Sequence, residues 1–149
     1  MKRLIKTALI ALVCLPLMAS AATREEAKAL TIKAIAYLEQ NGLDAASKAF
    51  AQKDSEFNSG ELYVFVQDMD GNMLIHGANP KLNGKGLINL KDPKGRYFVK
   101  EMVDVVKTNG SGWVDYMWKH PKTGQLTPKT SYVQKTEGFE GFAGVGIFQ

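Results

Sequence analysis

The first periodic pattern of apolar residues along the chain is helical and begins near residue 23. Thr23 followed by Glu26 fits a capping box, in which each side chain accepts a hydrogen bond from the other residue's backbone. Asn41-Gly42 is a typical helix ending, and a second short helix is predicted over residues 44–50. The apolar residues that share one face of the first helix are Leu30, Ala34 and Leu38.

Downstream, the period shortens to the two-residue alternation of β-strands. A hairpin is predicted from strands at Leu62–Gln67 and Met73–His76, joined by an Asp-Gly turn. Three further strands are predicted at Trp113–Lys119, Lys129–Lys135 and Phe142–Phe148. Short turns between consecutive strands favour antiparallel pairing.

A second region of helical periodicity separates the hairpin from these three strands. From Tyr97 to Lys107 the apolar residues fall on one side and the charged residues on the other. Asp92-Pro93 is predicted to open this helix as its cap and first-turn proline, and Asn109-Gly110 to end it. The order of elements predicts an α+β fold, with N-terminal helices and one central helix packed on an antiparallel sheet.

Residues 1–21 have the three parts of a secretory signal peptide. A basic start precedes an apolar run from Thr7 to Met18, and Ala19-Ser20-Ala21 supplies the small-x-small cleavage pattern. The run is too short to span a bilayer comfortably. We therefore predict a cleaved signal peptide over residues 1–21, one domain over residues 22–149, and a periplasmic protein with no stable membrane span. Lipidation of Cys14 and an uncleaved membrane anchor are the alternatives.

Removal of that peptide changes the charge of the chain. The full sequence carries +4, and residues 1–21 contain three cations and no acid, so the remaining domain carries +1. A nearly neutral domain lacks the basic footprint that phosphate binding requires, so no nucleic-acid partner is predicted. The one cysteine, Cys14, leaves with the peptide, which removes disulfides, thiol nucleophiles and thiolate metal sites.

Few residues are equipped for catalysis or metal binding. Asp68-x-Asp70-Gly71-Asn72 superficially resembles a calcium loop, but Met73 and Asn79 stand where an EF-hand needs glycine and glutamate. The two histidines have no cysteines with which to form a structural zinc site. Nucleophile elbow, Walker and dinucleotide-binding patterns do not occur in the sequence. We predict no metal, no cofactor and no enzymatic activity; a small hydrolase using Ser131 or a histidine is the remaining alternative.

The strand pair between residues 113 and 132 holds the richest set of candidate binding residues. In one register Tyr116 lies opposite Ser131 and Trp118 opposite Lys129, and in the other the partner strand is shifted by one residue. The first register places two aromatic rings beside an ammonium and a hydroxyl, which suits a small carboxylate. The alternative interpretation is that the rings belong to the core and that Lys129 is an exposed strand end.

A series of short motifs, in order along residues 23–149, resembles a type 2 single Cache domain. Cache domains are PAS-like extracytoplasmic sensor modules, and the resemblance implies the same fold as the periodicity. It identifies the chain as a free-standing secreted form of the family. The motifs are Asp68-x-Asp70-Gly71, His76, Asn79-Pro80, Gly84-Lys85, Asp92-Pro93-x-Gly95, Gly112-Trp113-Val114, Tyr116-x-Trp118, Pro121-x-x-Gly124, Pro128-Lys129-x-Ser131-Tyr132 and Gly144-Val145-Gly146-Ile147-Phe148.

The resemblance implies a function in binding a small organic acid such as acetate, propionate, pyruvate or lactate. A membrane receptor, kinase or transporter is the implied partner. The alternative is an accessory protein with a degenerate pocket that docks on a membrane receptor or enzyme. His76 at the pocket edge is expected to make binding depend on pH near neutrality. Together with Ser131, the implied ligand-binding residues are His76, Tyr116, Trp118, Lys129 and Tyr132, with Arg96 and Tyr97 as lid or anion contacts.

Overall fold

The computed structural model describes residues 21–149. The basic start, the apolar run and Cys14 of the predicted signal peptide lie outside the described residues. Within residues 21–149, no helix combines the length and the apolar character needed to cross a membrane.

The N-terminal helical region runs from Arg24 to Ala51 and is called α1. The predicted capping box is present: Glu26 N donates to Thr23 Oγ1 at 3.2 Å, and Thr23 N donates to Glu26 Oε2 at 2.8 Å. Gly42, with φ 80° and ψ 170°, interrupts the helical geometry. The region therefore consists of two helical segments on either side of a glycine kink, as the Asn41-Gly42 pair predicts.

All strand pairing within residues 21–149 is antiparallel, which confirms the predicted α+β class. The strands lie in the order β1-β2-β6-β5-β4, and β3 also pairs with β2. The two-residue β1 and a short 3₁₀ turn at Pro80–Leu82 were not predicted, because each is too short for a periodic pattern. The strands are β1 Asn58–Ser59, β2 Leu62–Asp68, β3 Met73–His76, β4 Ser111–Lys119, β5 Leu126–Lys135 and β6 Gly141–Phe148.

The central helix, α2, spans Phe98–Asn109 and ends at Gly110, whose φ of 76° gives the predicted left-handed cap. Its predicted start is wrong, because Asp92 lies six residues before Phe98 and caps a turn instead. The Asp92 carboxylate accepts backbone hydrogen bonds from Lys94 at 2.9 Å, Arg96 at 3.0 Å and Met117 at 3.1 Å. These bonds hold the loop before α2 against β4.

Side chains alternate between two hydrophobic layers, one on each face of the sheet. One layer packs under α1 and contains Val64, Val66 and Val145; the other packs under α2 and contains Phe65 and Val114. Alternation in the strands assigns each position to one layer or the other. The layer under α2 is the one that contains the candidate site.

The β4–β5 register differs from both predicted registers. Tyr116 pairs with Lys129, Val114 with Ser131, and Trp118 with Thr127. The loop between the strands is closed by hydrogen bonds between His120 and Gln125 and between His120 and Gly124, which shifts the pairing by two residues from the first predicted register. A two-residue shift keeps every side chain on its face, so Tyr116, Lys129 and Ser131 still lie together.

Candidate functional site

A cavity opens on the α2 face of the sheet, between the β4–β5 loop and the segment after β3. Its volume is about 450 Å³. A small chamber of about 10 Å³, the space of a single water, lies deeper under α2. His76 and Trp118 line both spaces and so form the boundary between them. The other residues that line the outer cavity are Tyr63, Ala78, Asn79, Leu82, Lys119, His120, Pro121, Gly124 and Leu126.

Lys129 is the most unusual side chain at this site, because it is a lysine that is only 2% exposed. Its Nζ donates to Tyr63 Oη at 2.8 Å, and the described residues include no carboxylate paired with it. Burial lowers the pKa of Lys129 to about 7. Four aromatic rings surround the ammonium, with centroids at 4.1 Å (Tyr63), 4.9 Å (Phe148), 5.9 Å (Phe65) and 6.0 Å (Tyr116).

The closing strand makes room for the Lys129 side chain. A Cβ on Gly146 would overlap Cε of Lys129 and Oγ of Ser131, and a Cβ on Gly144 would overlap the ring of Phe65. Because β6 separates β5 from β2, the lysine stem crosses β6 over Gly146 to reach Tyr63. Both glycines are therefore required by close approach of side chains to the strand.

His76 is held in a fixed orientation at the end of β3. Its Nδ1 accepts a hydrogen bond from the backbone N–H of Asn79 at 3.0 Å, and its ring lies 4.9 Å from Tyr63 and 6.0 Å from Trp118. Burial, with the nearby charge of Lys129, lowers the pKa of His76 to about 3. The expectation that His76 titrates near neutrality in the free protein is therefore wrong, whereas burial brings the pKa of Lys129 to about 7.

Tyr116 and Ser131 form a hydrogen-bonded pair on the same face. Tyr116 Oη lies 2.9 Å from Ser131 Oγ, and its ring stacks on Phe98 with centroids 4.6 Å apart. Burial raises the pKa of Tyr116 above its usual value. Because Ser131 is paired with a tyrosine, the serine–histidine contact of a hydrolase is not formed among the described residues.

Three predicted site residues lie elsewhere. Tyr132 is on the opposite face of β5, where its ring lies 5.4 Å from Trp113, because it is an odd number of residues from Lys129. Arg96 pairs with Glu101 and lines a surface depression of about 310 Å³, whose lining also includes Tyr116 and Lys129. Tyr97 precedes α2 with 37% of its surface exposed, between the ammonium groups of two surface lysines.

Sequence reasoning missed three residues of β2 that line these spaces. Tyr63 lines the outer cavity, Phe65 and Gln67 line the inner chamber, and the three share one face of the strand. Their two-residue spacing was visible in the sequence as a signal that they share a face. Which face of β2 meets α2 depends on tertiary packing.

The Asp68–Asn72 segment forms a tight turn between β2 and β3. Asp68 Oδ1 accepts backbone hydrogen bonds from Asp70 at 3.0 Å and Asn72 at 2.8 Å. The carboxylate therefore stabilises the hairpin. In residues 21–149, no group of three or more acidic, histidine or cysteine side chains is placed to hold a metal ion.

Comparison with known proteins reveals the same architecture in sensory receptors. A Cache chemosensory domain, from a structural study of carboxylic acid recognition, superposes with a TM-score of 0.73 at 28% identity, covering 83% of this chain and 91% of that one. A periplasmic sensor domain of a chemotaxis protein matches with a TM-score of 0.66, also at 28% identity, over 83% of this chain and 88% of that one. The fold is shared with a methyl-accepting chemotaxis protein from Vibrio parahaemolyticus at 22% identity and a TM-score of 0.72, over 83% of this chain and 86% of that chain.

Two full-length signalling proteins match in sequence over a shorter segment. The methyl-accepting chemotaxis protein McpP of Pseudomonas putida and the sensor histidine kinase MctS of Rhizobium johnstonii are each 33% identical over 86 residues, or 58% of this chain. The match covers 16% of the receptor and 18% of the kinase. The Cache domain family profile matches residues 23–149. The chain therefore belongs to the Cache domain family, and its fold is that of an extracytoplasmic sensor domain.

Proposed function

We propose that this protein binds a small monocarboxylate, such as acetate, propionate, pyruvate or lactate, on the α2 face, in the inner chamber that Lys129 lines behind the outer cavity. The observation that carries the proposal is the buried ammonium of Lys129, which has aromatic neighbours and no paired carboxylate among the described residues. An unpaired charge in an apolar environment is costly, and such groups concentrate at functional sites. The carboxylate of a ligand supplies the missing counter-charge, and the rings enclose its apolar part.

The related Cache chemosensory domain described for carboxylic acid recognition supports the same ligand class. Within the site we assign Lys129 to the carboxylate, His76 and Trp118 to the entrance, and Tyr116 with Ser131 to the wall. Arg96 and Tyr97 are assigned to the surface outside the cavity, and Tyr132 to the packing under α1. Ligand binding rather than catalysis is the proposed role, because Ser131 has Tyr116 as its partner.

A thermal-shift screen followed by calorimetry tests this function. A ligand that binds only the folded protein raises the melting temperature, by an amount equivalent to about 2.7 kcal/mol at a concentration of 100 Kd. We expect short monocarboxylates to raise it and the matching neutral amides to have no effect. Failure of every short monocarboxylate to bind would overturn the proposal.

We further propose that the protein works in the periplasm after removal of residues 1–21, and that it reports ligand occupancy to a membrane receptor, kinase or transporter. Exposed apolar residues next to the site support a docking role: Leu90 and Leu126 are 39% and 58% exposed and line one surface depression. Mass spectrometry of the periplasmic fraction tests the first part, since retention of Cys14 would contradict it. Ligand-dependent crosslinking from position 126 in cells tests the second.

A further inference from the structure

Gln67 lines the inner chamber from β2 and is 1% exposed. Its Oε1 is buried and has no hydrogen-bond partner among the described residues. A buried amide oxygen without a donor carries the full cost of its desolvation, so folded proteins seldom retain one. The free acceptor therefore marks a position at which a donor is expected.

The chamber combines this free acceptor with the unpaired cation of Lys129, which lines the same space. The two side chains come from strands on either side of β6, and both line the chamber together with Phe65, whose ring lies over Gly144. The remaining lining, His76 apart, is apolar or aromatic: Phe65, Met73, Leu87, Phe98, Met102, Tyr116 and Trp118. A ligand that satisfies both polar groups needs an anionic oxygen and, close to it, a hydrogen-bond donor.

We propose that Gln67 makes the site selective for short 2-hydroxy monocarboxylates, whose hydroxyl donates to Gln67 Oε1 while the carboxylate meets Lys129. This inference rests on the proposed binding of carboxylates in the same chamber. A 2-hydroxyl is the nearest neutral donor to the carboxylate in a short acid. A 2-ammonium group would place a second cation beside Lys129 and is disfavoured by repulsion. A plain acid leaves Gln67 Oε1 buried and unpaired.

The chamber is closed in this structure, since its volume of about 10 Å³ holds no more than a single water. Entry of a two- or three-carbon acid therefore requires movement at the boundary formed by His76 and Trp118. Trp118 also lines a surface depression of about 350 Å³. We place the displaced indole in that depression.

Calorimetry with two matched pairs of acids tests the assignment: glycolate against acetate, and L-lactate against propionate. In the parent protein we expect the hydroxy acid of each pair to bind about tenfold to a hundredfold more tightly, the range for leaving one buried polar group unpaired. Gln67→Met keeps the side-chain length and removes the acceptor. We expect it to bring both ratios close to one while propionate still binds.

Thr130→Val is the matched control. Thr130 Oγ1 is the other buried side-chain oxygen without a partner in the described chain, and Thr130 lies on the opposite face of β5 from Lys129. Its removal tests whether loss of an unpaired polar atom alone changes selectivity. We expect Thr130→Val to keep both affinity ratios, and a collapse of the ratios in this variant would overturn the assignment to Gln67.

Gln67→Glu is a second test that does not depend on the methionine variant folding. A carboxylate at this position adds a negative charge to the chamber that repels an anionic ligand and should abolish binding of all four acids; unchanged binding would place Gln67 away from the ligand and overturn the proposal. Equal affinities within each pair in the parent would also overturn it, as would tighter binding of pyruvate than of L-lactate. In those cases the proposed carboxylate function stands, whereas failure of all acids to bind removes both.

Discussion

At Lys129 an ammonium is held in a layer that otherwise consists largely of aromatic and aliphatic side chains. Its hydrogen bond to Tyr63 and its contacts with four rings recover part of the free energy of hydration that burial removes. Burial nevertheless lowers the pKa of Lys129 to about 7. The residue therefore connects ligand binding, pH and the stability of the fold.

Replacing this lysine should separate binding from stability. We expect Lys129→Met to weaken the binding of any carboxylate by about 2–5 kcal/mol, because the buried anion loses its partner. The same change should raise the free energy of unfolding by about 1–4 kcal/mol, since an apolar side chain of similar length replaces an unpaired charge. Urea unfolding and calorimetry measure the two effects. Lys107→Met, at an exposed position on α2, should change neither. A destabilised Lys129→Met protein, or unchanged affinity, would contradict this account.

The protonation of Lys129 should also determine how binding depends on pH. A bound carboxylate raises the pKa of Lys129 above its value of about 7 in the free protein. Below the free pKa both states are protonated and affinity is constant; above it, affinity falls by up to about tenfold per pH unit until the bound pKa is reached. Calorimetry near pH 8 in buffers of different ionisation enthalpy should detect proton uptake on binding.

His76→Gln is the control and should leave the pH dependence of binding in place, because His76 is already neutral at these pH values. An affinity that is flat between about pH 6 and 9 would assign the carboxylate to another group.

At the scale of single elements, β6 provides the space that the lysine needs. Gly146→Ala places a methyl group where Cε of Lys129 and Oγ of Ser131 lie, so we expect a loss of about 1–3 kcal/mol in stability and strongly weakened ligand binding. Gly138→Ala is the control, because its added Cβ would meet nothing closer than Cγ of Glu39, at 3.8 Å. Equal behaviour of the two variants would show that the crossing of β6 is not needed.

The loop before α2 depends on one carboxylate. Burial alone would raise the pKa of Asp92, but hydrogen bonds from three backbone N–H groups outweigh it and lower the pKa below its usual value. The ionised Asp92 carboxylate therefore stabilises the fold above about pH 4, and this contribution is lost as pH falls through the lowered pKa of Asp92. We expect Asp92→Ala to cost about 1–3 kcal/mol by leaving the N–H groups of Lys94, Arg96 and Met117 without their acceptor. Exposed Asp115→Ala should be close to neutral, and urea unfolding distinguishes the two.

At the scale of the whole molecule, the sheet separates two layers with different roles. The α1 layer contains no residue of either cavity, whereas Phe98 and Met102 of α2 line the inner chamber. Hydrogen exchange with and without a bound acid should therefore show slower exchange in α2 and in the β4–β5 loop. Exchange in Arg24–Ala51 should change little. Protection confined to α1 would place the ligand on the opposite face of the sheet.

The sequence alone predicted most elements, because their signals are local. Alternation revealed the strands, a period of 3.6 residues revealed the helices, and Gly42 and Gly110 ended helical segments where expected. It also placed Lys129 and Ser131 on one face of their strand, and placed Tyr116 with them in one of the two registers it left open; the observed pairing is an even shift from that register, so the grouping is kept. These properties depend only on neighbours along the chain or across one turn.

Tertiary structure decided the rest. Pairing of β6 between β5 and β2 brought Lys129 to Tyr63, and packing of α2 buried both them and Gln67. The same packing buried His76 and lowered its pKa. The local sequence does not predict how deeply the Lys129 ammonium is buried or that it has no paired carboxylate among the described residues. Both arise only when strands that are distant along the chain become neighbours and exclude water between them.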